Sequence, residues 1–140
     1  MTDFQLHPQL RRDCFSVGSL ALSELLMMND SQYPWFILVP RRADITEIYQ
    51  LNPADRHTLL EESCLLAEAL DRLYRPDKLN IAAIGNLVPQ LHLHHVARYQ
   101  SDKAWPAPVW GKFPALPYNG EQPEQRLAQL RETLGEWLLD

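Results

Sequence analysis

Two short apolar runs near the start of the chain are separated by a polar break. The first run occupies residues 20–28 and the second residues 33–40, and the four residues between them read Asn-Asp-Ser-Gln. The second run has the length of a buried strand. The period of the first run fits either a helix or a strand, but a four-residue polar connection favours a hairpin. The pattern therefore predicts two strands paired through a turn.

A long amphipathic helix is predicted after this hairpin. Asn52 suits the N-cap and Pro53 the first helical position, while Asp55 adds a favourable negative charge to the first turn. Pro76 ends the helix. Cys64 falls near the apolar face, where we expect a small buried side chain rather than a reactive thiol. The residues that recur at helical spacing are Leu59, Leu60, Ser63, Leu66, Ala67, Leu70, Leu73 and Tyr74.

The second half of the chain adds two strands, an irregular segment and a helix. Strands are predicted at residues 79–85 and 90–98. Residues 105–118 hold four prolines and four aromatic residues, so they cannot form a regular helix, and the aromatic side chains are expected to dock. A last helix is predicted from about Pro123, with an apolar stripe of Leu127, Leu130, Leu134, Trp137 and Leu138. Because hairpins outnumber crossovers, the pattern predicts an α+β fold with a mainly antiparallel sheet.

Composition limits the size and the partners of the protein. The chain has 140 residues, with 13 Lys and Arg against 18 Asp and Glu and a net charge of −5, which fits one domain over residues 1–140. The basic footprint of a nucleic-acid-binding protein is absent, as is a polybasic segment that anionic membranes would attract. The N-terminus does not resemble a secretory signal, and two cysteines make no disulfide framework. We therefore expect a soluble cytoplasmic protein with no nucleic-acid or membrane partner.

Three of the five histidines fall within residues 92–95. Because alternate side chains of a strand share a face, we expect Gln90, His92 and His94 on one face of the predicted strand. His95 is expected on the other face, with the leucines at positions 91 and 93 in the core. Two imidazoles beside a neutral amide form a face rich in hydrogen-bond donors, which can bind an anion such as phosphate. One imidazole can also act as a nucleophile without a metal.

Two other interpretations of the histidine face stay open. Histidines on an exposed strand face are often ordinary surface residues. A His-x-His pair on a strand can also chelate zinc. The sequence offers no third ligand at a distinctive spacing, however, and the remaining candidates are Asp102 and Glu24.

With this motif the sequence resembles the histidine triad (HIT) superfamily. The family motif is His-φ-His-φ-His-φ-φ, where φ is apolar, and residues 90–96 read Gln-Leu-His-Leu-His-His-Val, followed by Arg98 at the expected distance. Residues 35–41 resemble the family's strand Gly-His-φ-Leu-φ-φ-Pro-Lys, and the long helix and residues 78–81 match the elements that follow. The resemblance covers about residues 15–100.

One bacterial subgroup of the superfamily is especially similar. Residues 88–94, together with Ala104-Trp105-Pro106, resemble bacterial HIT-like proteins that are regarded as hydrolases and carry Gln at the first triad position. The family pattern does not explain the Pro/Trp-rich tail and the C-terminal helix, residues 101–140. In that tail, Trp105 and Trp110 either stack on a nucleobase or cover the core, and we favour the second role.

The resemblance implies an α+β fold with a mainly antiparallel five-stranded sheet, a long helix and a C-terminal helix, assembled as a homodimer. It also implies an enzyme that needs no cofactor or metal and acts on a nucleotide or nucleotide conjugate. Matched position by position, His92 is the nucleophile that attacks the α-phosphorus and forms a nucleotidyl-histidine intermediate. His94 contacts the phosphate oxygens and assists the leaving group, while Gln90 stands in place of the first histidine.

The same matching assigns residues that would hold the nucleotide. Asn29 or Asp30 matches the polar residue that holds the ribose hydroxyls. Leu25 and Met27 match apolar residues of the base pocket, and Asn86 lies in the turn that approaches the phosphate.

The sequence also departs from the family pattern. Gln90 carries no positive charge, although it can donate a hydrogen bond to a phosphate oxygen. The turn at residues 85–89 is shorter than the family's Gly-rich loop, and Arg41-Arg42 stands where members often carry a histidine. These departures support a second hypothesis, a nucleotide-binding module with little or no catalysis. A metal-dependent or purely structural dimer is the third.

Three side chains outside these sites are expected at the surface. Arg98 shares the parity of His92 and His94, but we expect it to be a solvated strand end. His7 and His57 have no partner that the sequence identifies.

Overall fold

The computed structural model describes residues 3–139, and these residues build one five-stranded antiparallel sheet with the strand order β1-β2-β3-β5-β4. Strand β4 lies at one edge and β1 at the other. The elements are α1 (Pro8–Asp13), β1 (Cys14–Ser19), β2 (Ser23–Met28), β3 (Trp35–Pro40), α2 (Pro53–Tyr74), β4 (Lys78–Ala82), β5 (Leu93–Arg98) and α3 (Gln122–Leu134). None of the helices within the described residues is both long enough and apolar enough to cross a membrane. The predicted α+β class and antiparallel sheet are confirmed.

The predicted hairpin is formed by β2 and β3. The two strands pair antiparallel, with Leu26 opposite Ile37. Every residue of β3 is buried, because the central strand of the sheet is covered on both faces. The apolar pattern does not indicate β1, which pairs with β2 and contains an irregularity between Ser16 and Gly18. The mixed polar composition of β1 gives no clear strand period.

Helix α2 begins and ends at the residues that the sequence indicates. The Asn52 side chain accepts a hydrogen bond from the backbone N–H of Asp55, and Pro53 is the first helical residue. Arg75, in the left-handed conformation with φ of 47°, ends the helix just before Pro76. Cys64 is exposed, so the expectation of a buried thiol is wrong. The face that packs on the sheet is centred on Leu59, Ser63, Leu66 and Leu70, which turns position 64 toward solvent.

Apolar side chains cover both faces of the sheet. Helices α2 and α3 cover one face, where they bury Phe36 and Leu38 of β3. Ile37 and Val39 of the same strand point to the opposite face, where the Pro/Trp-rich tail packs on them through side chains that include Val109. The tail therefore docks on the sheet, as its aromatic content predicts.

The apolar stripe of α3 is confirmed except at its end. Its buried residues are Leu127, Leu130 and Leu134. Trp137 is 62% exposed, so its predicted place in the core is wrong. Gly135, with φ of 55°, ends the α-helix, and a 3-10 turn over Gly135–Trp137 follows. This change of period turns Trp137 outward, while Leu138 still packs against the core.

The tail is fastened to the sheet by a buried ion pair. The Arg98 guanidinium donates to both carboxylate oxygens of Asp102, at 2.8 and 3.0 Å, and also to the carbonyl oxygen of Ala107 at 2.8 Å. A fourth bond, to the side-chain oxygen of Asn80 at 2.8 Å, ties the same group to β4. Arg98 is only 2% exposed. The expectation of a solvated strand end is therefore wrong, because the docked tail removes this position from water.

The network at Asp102 also shifts its protonation. Burial acts to raise the pKa of Asp102, but hydrogen bonds from Arg98 and from the backbone N–H groups of Tyr99 and Trp105 outweigh it. The pKa of Asp102 is therefore lowered, and the carboxylate stays charged opposite the guanidinium. The rings of Tyr33 and Trp105 lie 5.8 and 5.7 Å from the guanidinium carbon.

Replacing Arg98 is expected to loosen the whole tail. Arg98→Met should lower the free energy of unfolding by about 3–5 kcal/mol, because a buried carboxylate loses its partner. Arg72→Met is the control, since it removes an exposed i,i+4 pair with Glu68 and should cost less than about 1 kcal/mol. Urea denaturation measures both values. Equal stability of the two variants would contradict the anchoring role of Arg98.

Candidate active site

The histidine motif straddles the start of β5. The strand begins at Leu93, so Gln90 and His92 lie in the connection before it, and the predicted strand from position 90 is too long. Leu91 lies outside the hydrogen-bonded sheet, and its backbone N–H instead donates to the carbonyl of Ile45 at 2.9 Å. The rings of His92 and His94 nevertheless lie 4.8 Å apart between centroids. The predicted proximity of these two histidines is confirmed.

His95 points away from this pair, as the strand alternation predicts. Its Nδ1 lies 3.1 Å from the carbonyl oxygen of Leu93 and its Nε2 lies 2.7 Å from the Ser63 hydroxyl of α2. Because a carbonyl only accepts, Nδ1 carries the proton and Nε2 accepts from Ser63. Burial lowers the pKa of His95 to about 4, while the hydrogen bond to Leu93 opposes the shift. His95 is thus a neutral residue of the interior that joins β5 to α2.

The backbone fixes the tautomer of His92. Its Nδ1 lies 2.7 Å from the carbonyl oxygen of Gln90, so Nδ1 must carry the proton and Nε2 keeps a free lone pair. Burial lowers the pKa of His92 and His7 lowers it further, although the hydrogen bond to Gln90 acts in the opposite direction. At neutral pH the ring is therefore neutral and presents a nucleophilic nitrogen.

Two tryptophans surround His94. The indole N–H of Trp35 donates to Nδ1 of His94 at 3.0 Å, so the neutral ring carries its proton on Nε2. The rings of Trp35 and Trp110 lie 5.7 and 5.4 Å from the imidazole. Burial and the neighbouring His92 lower the pKa of His94 to about 3, against a hydrogen bond with the backbone of Ile84. The nearness of Trp35 follows from the strand pairing, which sets Ile37 opposite His94.

The Gln90 side chain faces the N-terminal segment. Its Oε1 accepts from the backbone N–H of His7 at 2.9 Å, and its Nε2 donates to the carbonyl of Gln5 at 2.9 Å. Sequence reasoning missed these contacts, because nothing in a local pattern connects residues more than 80 positions apart.

A surface cavity collects part of the predicted site. It has a volume of about 330 Å³ and is lined by His92, Gln90 and Asn86, with Thr46 and Glu47 among the other residues. Three of the predicted site residues therefore border the same space. The participation of Glu47 was not anticipated from the sequence.

Asn29 and Asp30 lie elsewhere and bind the tail. The side-chain oxygen of Asn29 accepts from the backbone N–H of Tyr118 at 2.9 Å. Oδ1 of the buried Asp30 accepts from the backbone N–H groups of Gln32 and Leu116, at 3.1 and 3.4 Å. Both residues border a second cavity, of about 390 Å³, which Trp35 also lines. The structure does not bring them into the His92 cavity, and their role toward a nucleotide stays a prediction.

Leu25 and Met27 lie on the wrong face for their predicted role. The register sets Leu26 opposite Ile37 and Ile37 opposite His94, so Leu26 shares the histidine face. Leu25 and Met27 alternate with it and are fully buried beneath the helices. A base pocket on the histidine face cannot include them, because alternate residues of a strand point to opposite faces of the sheet.

The candidates for a third metal ligand are engaged in other contacts. Asp102 binds Arg98, and Glu24 lies 3.8 Å from Arg41. Within residues 3–139, no group of three or more His, Cys, Asp or Glu side chains is placed to hold a metal ion.

Comparison with known proteins gives one family. The family model described as "HIT domain" matches residues 9–101. The chain is 50% identical to a histidine triad protein from Marinobacter aquaeolei, with a TM-score of 0.93 over 95% of this chain and 97% of that chain. A histidine triad protein from Bradyrhizobium japonicum is 41% identical, with a TM-score of 0.93 over 96% and 100%. No curated protein matches the sequence significantly.

A more distant structure shares the fold alone. It is a hypothetical histidine triad nucleotide-binding protein from Sulfolobus tokodaii, 14% identical, with a TM-score of 0.67 over 89% of this chain and 87% of that chain.

Acid is expected to destabilise the protein through its buried histidines. Unfolded histidines take up protons below about pH 6.5, whereas His94 and His95 stay neutral until their pKa values of about 3 and about 4. Below about pH 6.5 the unfolded state therefore binds more protons than the folded state. As the pH is lowered, the free energy of unfolding decreases by about 1.4 kcal/mol per pH unit for each of these histidines.

A variant isolates the share of His95. In His95→Gln the amide oxygen can still accept from Ser63. Between pH 6 and pH 4.5, the slope of the free energy of unfolding against pH should decrease by the equivalent of about one bound proton. His57→Gln, at an exposed position of α2, should leave the slope unchanged. Urea denaturation at several pH values measures both, and an unaltered slope in His95→Gln would contradict a buried neutral His95.

Proposed function

The chain belongs to the HIT domain family, and on this premise we propose that it is a nucleotide hydrolase or nucleotidyltransferase acting at the α-phosphate. The observation that carries the proposal is the state of His92. Its Nδ1 is held by the Gln90 carbonyl, its ring is neutral, and it borders a cavity of about 330 Å³ that is open to solvent. These are the properties of an activated nitrogen nucleophile.

In the proposed reaction, Nε2 of His92 attacks the α-phosphorus in line with the leaving group. The new N–P bond forms as the bond to the leaving group breaks, and the leaving group departs with the electron pair. Water or another acceptor then attacks phosphorus, the N–P bond breaks with its electron pair returning to Nε2 of His92, and the proton that the acceptor loses passes to solvent. The Nδ1–H of His92 stays on the Gln90 carbonyl throughout and stabilises the positive charge that the ring acquires.

The neighbouring residues are proposed to hold the phosphate. His94 carries its proton on Nε2, because Trp35 occupies Nδ1, and on binding of a nucleotide this Nε2–H would exchange its bond with the backbone of Ile84 for one to a phosphate oxygen or to the leaving group. Asn86 and the second amide hydrogen of Gln90 supply further donors at the cavity. Fixed donors of this kind stabilise the charge that develops on the phosphate.

The ribose is proposed to bind near the end of β2. Among residues 3–139, the hydrogen bonds of the Asp30 carboxylate all end on Oδ1, which leaves Oδ2 to accept from a hydroxyl. The Asn29 oxygen already accepts from Tyr118. Asp30 is therefore the better candidate of the two.

A nucleotide-binding module with little or no turnover is the second candidate. The observation in its favour is Gln90, which replaces a histidine and commits its amide to the backbone of Gln5 and His7. A site with fewer charged donors can still bind a phosphate while stabilising the transition state less.

We further propose that the protein acts in the cytoplasm as a homodimer. Strand β4 is an edge strand, and Ile81 on it is 47% exposed. Leu87, just beyond the strand, is 93% exposed. Unpaired edges and apolar side chains are avoided on free surfaces, and a second copy related by a two-fold axis can cover both.

Turnover of an adenosine phosphoramidate is expected to depend on His92. His92→Ala should lower kcat/KM by on the order of 10³-fold or more, because it removes the nucleophile. Wild-type protein quenched during turnover should carry an adenylyl group on His92, detectable by mass spectrometry. His57→Ala is the matched control and should retain full activity. Dinucleoside polyphosphates and adenylylated compounds extend the substrate set.

The outcomes separate the candidates. If wild type and His92→Ala are equally inactive on all substrates while nucleotides still bind, the enzyme proposal fails and the binding module stands. If no nucleotide binds, both fail.

The dimer is tested at the edge strand. Light scattering should give wild type a mass twice the 16.2 kDa of the chain, and Ile81→Lys should shift it toward the monomer, because a charge would be buried at the contact. Leu116→Lys, at a 53% exposed tail position, should remain a dimer. A monomeric wild type would refute the assembly.

A further inference from the structure

The N-terminal segment is fastened to the histidine motif by a single side chain. Gln90 accepts from the backbone N–H of His7 through Oε1 and donates to the carbonyl of Gln5 through Nε2, both at 2.9 Å. The backbone carbonyl of the same residue binds Nδ1 of His92 at 2.7 Å. Gln90 therefore holds His7 with its side chain and the proposed nucleophile with its main chain.

The state of the His7 ring suits it to donate a hydrogen bond. Its Nδ1 accepts from the backbone N–H of Gln9 at 3.0 Å, where His7 is the N-cap of α1. The neutral ring therefore carries its proton on Nε2. His7 is half-buried, which corrects the expectation of a surface residue without a partner.

We propose that His7 belongs to the nucleotide site, where its Nε2–H donates to an oxygen of the phosphate held at His92, and that Gln90 positions it there. The inference rests on the proposed function, because it concerns the phosphate of that reaction. His7 would supply an imidazole donor from the N-terminal segment, in a site where glutamine stands in place of one histidine of the motif.

The electrostatics of His92 are consistent with this placement. Burial lowers the pKa of His92 and the nearby His7 lowers it further, so the two imidazoles lie within electrostatic reach of each other, beside the cavity that Gln90 and His92 line. The other titratable groups around the site are His94, beside His92, and Glu47, which lines the cavity. An additional donor offsets the repulsion between Glu47 and a phosphate.

The deciding variant is His7→Asn. Asparagine is a favoured N-cap residue, so its side-chain oxygen can accept from Gln9 and preserve α1, while the Nε2–H is lost. We expect kcat with an adenosine phosphoramidate to fall by about 100-fold, as on removal of one donor to a developing charge, and the affinity for AMP measured by calorimetry to fall by about tenfold. His57→Asn, on exposed α2, should match wild type in both.

A second variant tests the positioning role of Gln90. Gln90→Ala releases residues 5–7 and should cost at least as much as His7→Asn, because it also removes the donor proposed for Gln90 itself, while the double variant should be no worse than Gln90→Ala alone. Thermal unfolding checks that each variant is folded. Additive losses would overturn the assignment of Gln90 as the residue that acts through His7.

The outcomes distinguish this inference from the proposed function. If wild type turns over and His7→Asn matches His57→Asn in kcat and in AMP affinity, the inference is overturned and the function stands. If wild type binds AMP without turnover, the function fails, and a tenfold loss of AMP affinity in His7→Asn still supports His7 as a phosphate donor. If wild type binds no AMP, both are overturned.

Discussion

The buried pair of Arg98 and Asp102 is the contact on which the rest of the structure depends. It closes the Pro/Trp-rich tail over the second face of the sheet, because the guanidinium binds the Asp102 carboxylate and the Ala107 carbonyl at once. Without the tail, one face of the sheet would be open to water, and His94 would lack the contact with Trp110. The main effect of the buried pair is to fix the position of the tail. Its net contribution to stability is small, because burying two charges is costly and their hydrogen bonds are satisfied only when the tail is docked.

The three histidines at residues 92–95 have different roles, because the sheet is covered on both faces. His95 is enclosed among the helices and binds Ser63, so it serves the fold. His94 is enclosed by tryptophans on the other face, which keeps it neutral and fixes its proton on Nε2. His92 precedes the strand and borders the open cavity, so only this ring combines a fixed tautomer with access for a substrate. Strand β5 and the residues just before it thereby carry both a histidine of the interior and the proposed nucleophile.

Much of the fold was predictable because its signals are local. The cap at Asn52 and the proline at position 53 define the start of α2 through the dihedral angles and side-chain bond that they supply. Cys64 and Trp137 were misplaced because helical period defines a face but not its exact centre, and because Gly135 changes the period at the end of α3. Strand β1 was missed because its side chains do not alternate clearly between polar and apolar.

For the site, the sequence by itself determined the pairing of His92 with His94 and the separation of His95, because alternation along an extended backbone depends only on position. The tertiary structure decided what each of these rings can do. The partner of Gln90 is an N-terminal segment more than 80 residues away, the face of Leu25 and Met27 depends on the register of β2 with β3, and the burial of Arg98 depends on a tail that folds back over the sheet. These properties arise from contacts between distant segments, and a local pattern carries no record of them.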